Sequence, residues 1–184
     1  GPTIVGNLLL SLVHLAAIKI VSALGAEAVT AVIAADRIYM AVQLIIIAIT
    51  AATTTMVAYA WGANTPDEAD RAVKLSASLC AGVSLLLCVA IQWLATPLVA
   101  IFGLSGDTLT EAATYLKVLI YFNVFFSFLA VISAGLRAAG DAMTPVLIAA
   151  FGNVINVALA YALVYGYMGL PSLGILGAAL ATGI

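Results

Sequence analysis

The sequence predicts an all-α, polytopic transmembrane helix bundle with five complete helices and the start of a sixth. Three observations carry that prediction. Only 8% of the residues are charged and 65% are hydrophobic, whereas about a quarter of the residues in a soluble domain are charged. The mean hydropathy is +1.24, more apolar surface than a soluble core of 184 residues could hide. The apolar residues also fall in blocks long enough to cross a bilayer, which takes about 20 of them.

The blocks run over 3–24, 38–61, 76–101, 113–135 and 144–168, and a sixth opens at 173 and stops at Ile184. The first lacks a charged leader region and a cleavage site, so it reads as a span and not as a signal peptide. The unfinished last helix, and a first residue other than Met, indicate a piece of a longer protein. In the third block Cys80 and Cys88 lie eight residues apart on an apolar helix, which fits packing better than a disulfide.

Short connections with turn chemistry separate the blocks. Gly25-Ala26-Glu27 follows the first, WGANTPDEADR (61–71) the second and FGLSGDT (102–108) the third. RAAGDAMTP (137–145) follows the fourth and GYMGLPSLG (166–174) the fifth. Glycine, proline and asparagine break helices there, and acids cluster near the next helix start. Short loops between long helices imply antiparallel neighbours in an up-down bundle. Arg71, Lys74 and Arg137 fall on one side. Lys117 falls on the other, with Lys19 and Arg37 set deeper beside the first hairpin. The positive-inside bias then places the N-terminus in the cytoplasm. Runs such as AITAATTT (48–55) and GAALATG (177–183) supply the small residues that let helix backbones approach in lipid.

Several chemistries have no support. A single histidine, His14, excludes a His-Glu-x-x-His zinc site within these residues. Cys-x-x-Cys, a Walker lysine after a glycine loop, a nucleophile elbow and a catalytic carboxylate pair are all missing. No catalytic residue, metal ligand, cofactor or nucleic-acid partner is assigned. The partners expected are the bilayer and a small-molecule substrate.

Polar residues repeat at helical spacing. Asn7, Ser11, His14 and Ser22 share a face of the first span, and Asp36, Tyr39, Gln43, Thr50 and Thr54 share one of the second. Asn123 and Ser127 pair in the fourth, and Asn153 and Asn156 in the fifth. Polar side chains in a bilayer face the bundle interior or a wet cavity. Four such faces with ionisable members point to a cavity. Interhelical hydrogen bonding without one is the alternative.

The stretch GLRAAGDAMTPVLIAAFGNVINVALAYALVYG (135–166) followed by PSLGILGAALAT (171–182) resembles the MATE (multidrug and toxic compound extrusion) transporters. ALGAEAV (23–29) and AYAWGA (58–63) fit the ends of that family's first two helices. The resemblance covers essentially the whole chain. It implies a secondary antiporter of twelve helices in two six-helix lobes. Residues 1–184 would be the N-terminal transmembrane lobe, facing a C-terminal lobe of the same protein. Such a protein exports small amphipathic compounds across the cytoplasmic (inner) membrane in exchange for Na+ or H+, the coupling ion being open, by rocking of the lobes. Lipid-linked precursor flippases of the same superfamily are the first rival. A membrane enzyme or scaffold subunit is the second.

Two departures stand out. Where many members carry aspartate in the first and fifth helices this chain has Ala17 and Ala160, although Asn156 and Thr182 remain. The resemblance therefore implies a weakened cation site in this lobe. Together with the polar faces it nominates Lys19, Asp36, His14, Gln43, Asn123, Asn153, Asn156 and Thr182 as lining the substrate and cation pathway. Lys19 has three readings. It can snorkel, being ~7 Å from its helix end at 1.5 Å per residue. It can pair with Asp36, at equal depth if the hairpin centres between residues 27 and 28. Or it can stand as a tethered charge in place of the cation, or receive an anionic substrate group.

Overall fold

The computed structural model of the chain describes Lys19, Ser22 and residues 25–166 and 173–183. These form five helices: α1 Ala26–Gly62, α2 Pro66–Ala100, α3 Gly106–Ala138, α4 Met143–Tyr165 and α5 Ile175–Gly183. The 3–24 span lies outside the described residues except for Lys19 and Ser22, both helical. Helices α1 to α4 are each long and apolar enough to cross a membrane.

Three helices start earlier than their apolar blocks: α1 at Ala26 and not 38, α2 at Pro66 and not 76, α3 at Gly106 and not 113. Hydropathy reports what lipid tolerates, whereas a helix end needs capping and compatible charge. Glu27, Asp67, Glu68 and Asp107 occupy first turns, where the helix dipole favours negative charge. Pro66 opens α2, a position where its missing N–H is of no consequence. Asp70 and Lys74 pair at 2.6 Å on the exposed side of α2. With 37 residues, α1 is about 55 Å long and overruns a hydrocarbon core of about 30 Å.

The turns explain the motifs around them. Gly25 has φ 108 just before α1, a conformation open to glycine. The first turn therefore lies at Gly25 and not between residues 27 and 28. This shift brings Lys19 closer to the turn than Asp36, so the equal depth on which their pairing rested does not hold. At the far end of α1, the Thr65 amide donates to the Ala60 carbonyl at 2.9 Å and its hydroxyl to the same oxygen at 3.1 Å. Between α3 and α4, Gly140 takes φ 98. Asp141 Oδ1 then accepts from the amides of Met143 and Thr144 at 3.1 and 3.0 Å, capping α4 as an N-cap aspartate does. The Thr144 hydroxyl and amide, with the Met143 amide, hold the Asp141 carboxyl below the usual carboxylate range. Pro145 follows within the first turn of α4, where no intrahelical amide bond is lost. The R-x-x-G-D-x-x-x-P stretch is thus a helix stop and a helix start in nine residues.

Helix α3 is the centre of the bundle and packs on all four others, most extensively on α1 and α2. The buried row of α2 is Ala69, Ala72, Ser76, Cys80, Ser84, Cys88, Ile91, Ala95 and Val99. Its small side chains allow close approach, and both free thiols sit in it as packing groups. Near the Gly140 end a Cβ at Gly135 would lie 3.1 Å from Val73 Cγ2. Helix α4 touches α3 only lightly and leans instead on α5, although α3 and α4 are consecutive in the chain. There a Cβ on Gly177 would lie 2.7 Å from the Leu163 carbonyl group, so only glycine permits that contact without displacement. The expected pairing of sequence neighbours holds for α1–α2 and α2–α3, and gives way at α3–α4.

Candidate functional site

Helices α1, α3 and α5 all start from the Gly25 end of the bundle. Asp36 lies about 15 Å into α1, Tyr115 about 14 Å into α3 and Thr182 about 11 Å into α5, at 1.5 Å per residue, and the three meet at one level. The Tyr115 hydroxyl donates to Asp36 Oδ1 at 3.4 Å, with Tyr115 itself only 4% exposed. Tyr39, one turn along α1, and Thr182 on α5 lie near this pair. The Thr182 hydroxyl donates to the Ala178 carbonyl at 2.9 Å. On the other side of α5 the Asn156 amide donates to the Ala181 carbonyl at 2.6 Å. Two polar links therefore lie in one layer, α1 to α3 through Asp36 and Tyr115, and α4 to α5 through Asn156.

A second polar group lies deeper, between α2 and α3. Asn123 is completely buried and its amide donates to Ser84 Oγ at 3.3 Å, Ser84 being equally buried. Among the described residues Asn123 Oδ1 has no hydrogen-bond partner, and neither does the buried Oε1 of Gln43 on α1. Native interiors leave few such acceptors unsatisfied. Thr53 and Ser127, also buried, return their hydroxyls to the Ile49 and Val124 carbonyls of their own helices.

The nominated residues thus divide. Asp36, Asn156 and Thr182 belong to one layer. Asn123 lies in another contact, and Gln43 and Asn153 are half-buried on α1 and α4. Lys19 is exposed, and His14 and Ala17 lie outside the described residues. A groove of about 340 Å³ opens near the opposite end, beside Thr55, Tyr59 and Glu68, away from the polar layer. Tyr115 was not anticipated. Its signal was available: stepping back from Asn123 by fours passes Leu119 and reaches Tyr115 on the same buried face. The apolar Leu119 interrupts the polar pattern and hides it. Among the described residues no three His, Cys, Asp or Glu side chains gather as a metal site would require.

The sequence pattern of the MatE family matches residues 2–162. The chain belongs to the MatE family. Among curated relatives, the probable multidrug resistance protein NorM of Thermotoga maritima is 34% identical over 157 residues, 85% of this chain and 34% of that protein. The protein of the same name from Rhizobium meliloti is 30% identical over 169 residues, 89% of this chain and 35% of that one. The chain spans about a third of the length of these relatives. A MOP superfamily transporter from Pyrococcus furiosus, described as having a binding pocket of reverse polarity that suggests a different function, superposes with a TM-score of 0.91 at 25% identity. It covers 99% of this chain and 39% of that one. A MATE crystal structure in complex with MaD3S gives a TM-score of 0.90 at 25% identity over 99% of this chain and 40% of that one. This MatE segment is an all-helical, multi-pass membrane domain of a multidrug-efflux transporter family, a family of transporters and not of enzymes.

Proposed function

We propose that the protein containing this chain is a secondary antiporter that exports small amphipathic compounds across the cytoplasmic membrane. Export is in exchange for Na+ or H+, by alternating access between two lobes. Residues 1–184 form the N-terminal lobe, with the N-terminus in the cytoplasm, and pack against a C-terminal lobe of the same protein. Membership of the MatE family supports the class of activity. The observation that carries it at the level of residues is the polar layer in which Asp36 meets Tyr115 between α1 and α3 and Asn156 meets the Ala181 carbonyl between α4 and α5. Ionisable groups inside a membrane domain mark transport pathways, and sites between the repeats of secondary transporters lie near the midplane.

Everted membrane vesicles containing the full-length protein test this reading with a fluorescent organic cation. Uptake is expected to collapse when the H+ or the Na+ gradient is dissipated. Uptake that ignores both gradients but requires ATP overturns it. The orientation is tested by single cysteines: at Asn64 or Asp141 they should react only from the cytoplasm, and at Ser105 only from outside. The reverse pattern inverts the topology.

A second reading, export of compounds bearing an anionic group, rests on Lys19 and on Ala17 and Ala160 standing where the resemblance implies acids. The Pyrococcus furiosus transporter whose pocket is described as reversed in polarity lends it weight. Competition of cationic and anionic substrates in the same vesicles separates the two.

A further inference from the structure

Two buried amide oxygens keep hydrogen-bonding capacity that no described residue uses: Oδ1 of Asn123 on α3 and Oε1 of Gln43 on α1. Their places along the chain bring them to one level. Helices α1 and α3 run in the same direction from the Gly25 end, and the hydrogen bond from Tyr115 to Asp36 sets their register. Gln43 lies about 10 Å beyond Asp36 along α1, and Asn123 about 12 Å beyond Tyr115 along α3, at 1.5 Å per residue. From α2, Ser84 reaches the same level and accepts from the Asn123 amide at 3.3 Å.

Apolar packing closes this level on both sides. Toward the Gly25 end, Val42, Cys88, Leu119 and Ile120 belong to one buried cluster. Toward the other end, Ile46, Cys80 and Val131 form a second. Gln43, Ser84 and Asn123 each fall between members of the two clusters on their own helix. Cys80 and Cys88, which flank Ser84 on the buried row of α2, are short, as a site for a small molecule requires. Ser127, one turn beyond Asn123, is already committed, its hydroxyl donating to the Val124 carbonyl at 2.7 Å.

We propose that Gln43 and Asn123 hold one internal water molecule between them, joining α1 to α3 beside α2. Two acceptor oxygens cannot bond each other, and a water donates one O–H to each. It accepts in turn from the Ser84 hydroxyl, which takes a bond from Asn123 and can still give its own proton. Three hydrogen bonds are the usual complement of a buried water. A cation fits less well. Residues 37–62, 71–100 and 112–138 contain no aspartate or glutamate, so it would stand in a neutral layer without a counter-charge, which is far costlier than burying a hydrogen-bonded neutral molecule. The water is a part of the fold, and its place does not depend on what the protein exports.

Solid-state NMR of the full-length protein in lipid, with its asparagine and glutamine side chains labelled with carbon-13, tests the site. Magnetisation from water protons is expected to reach Asn123 Cγ and Gln43 Cδ early, although Asn123 is completely buried. Gln43→Met fills the same space without the acceptor, and the transfer to Asn123 Cγ should then be lost. The two side chains need share no direct bond for this to happen, so loss at one on changing the other reports a common water. Full transfer to Asn123 Cγ in Gln43→Met overturns the shared site. Transfer that disappears when choline replaces Na+ in the buffer overturns water as the occupant and assigns a cation. Should Gln43→Met fail to fold, the unaltered protein decides: no early transfer to Asn123 Cγ overturns the proposal, and early transfer that choline leaves unchanged supports it.

Discussion

Helices α3 and α4 are nearly alike in mean hydropathy, yet 39% of the most apolar stretch of α3 is buried within the described bundle and only 6% of that of α4. Hydropathy therefore fixed the solvent of both helices and the surroundings of neither. In lipid, apolar side chains gain nothing by leaving tails for each other, so packing, small residues and interhelical hydrogen bonds decide which helix is central. Helix α3 has all three: Ala112, Ala113 and Gly135 for close approach, Tyr115 and Asn123 for polar contacts, and Leu116, Leu119 and Ile120 to fill the space between. The buried residues of α4 are Pro145, Ala160 and Val164, and Phe151 and Val154 remain 71% and 69% exposed.

The largest test of that contrast is a pair of truncations. Leu119→Ala, at a side chain only 1% exposed, should lower the unfolding free energy by about 2–5 kcal/mol through the cavity it leaves. Phe151→Ala on α4 should stay within about 0.5 kcal/mol. Reversible denaturant unfolding in mixed micelles measures both, and equal costs would erase the distinction between the helices. Asn123→Ala should cost about 0.6–1.7 kcal/mol, the range for membrane interhelical hydrogen bonds. Asn153→Ala on α4 should cost less, and the same unfolding assay reads the difference.

The start of α4 provides a pH-dependent test. The Asp141 carboxyl is held low by hydrogen bonds from Thr144 and Met143, so its cap stabilises the fold above the ordinary aspartate value of about 3.9. That contribution disappears as the pH falls through the lower folded value, because the protonated carboxyl no longer accepts as an anion. Stability measured downward from about pH 4 should therefore fall more steeply in the unaltered protein than in Asp141→Ala. Parallel curves would remove the cap from the account of how α4 begins. The smallest effect is expected at Lys19. With the turn at Gly25, Lys19→Met should change stability by about 0.5 kcal/mol or less. Combined with Asp36→Asn it should be additive to within about 0.5 kcal/mol. Strong recovery in the double variant would restore the ion pair and move Lys19 into the polar layer.

Much of the candidate site was legible in advance, for a reason that also explains the omission. Asp36 and Asn156 announce themselves because a polar group inside an apolar block is costly unless it has a partner, whereas Thr182 was named by the family resemblance. Tyr115 does not, since a tyrosine near a helix start reads as an interfacial aromatic and Leu119 breaks the row that joins it to Asn123. The helix starts at Ala26, Pro66 and Gly106 escaped for the complementary reason. Charged first turns outside the bilayer belong to the helix but not to its hydropathy.

By itself the sequence determined that the chain lives in a membrane, that it is an all-helical bundle, and where Gly140 and Asp141 turn it, because each of these is settled by local chemistry. Only the tertiary structure decided that α3 would be central and α4 peripheral, and that Asp36 would meet Tyr115. Those outcomes depend on which small-residue faces can approach closely, as Gly177 does against Leu163. They depend equally on helix starts that bring residues from distant parts of the chain to one depth.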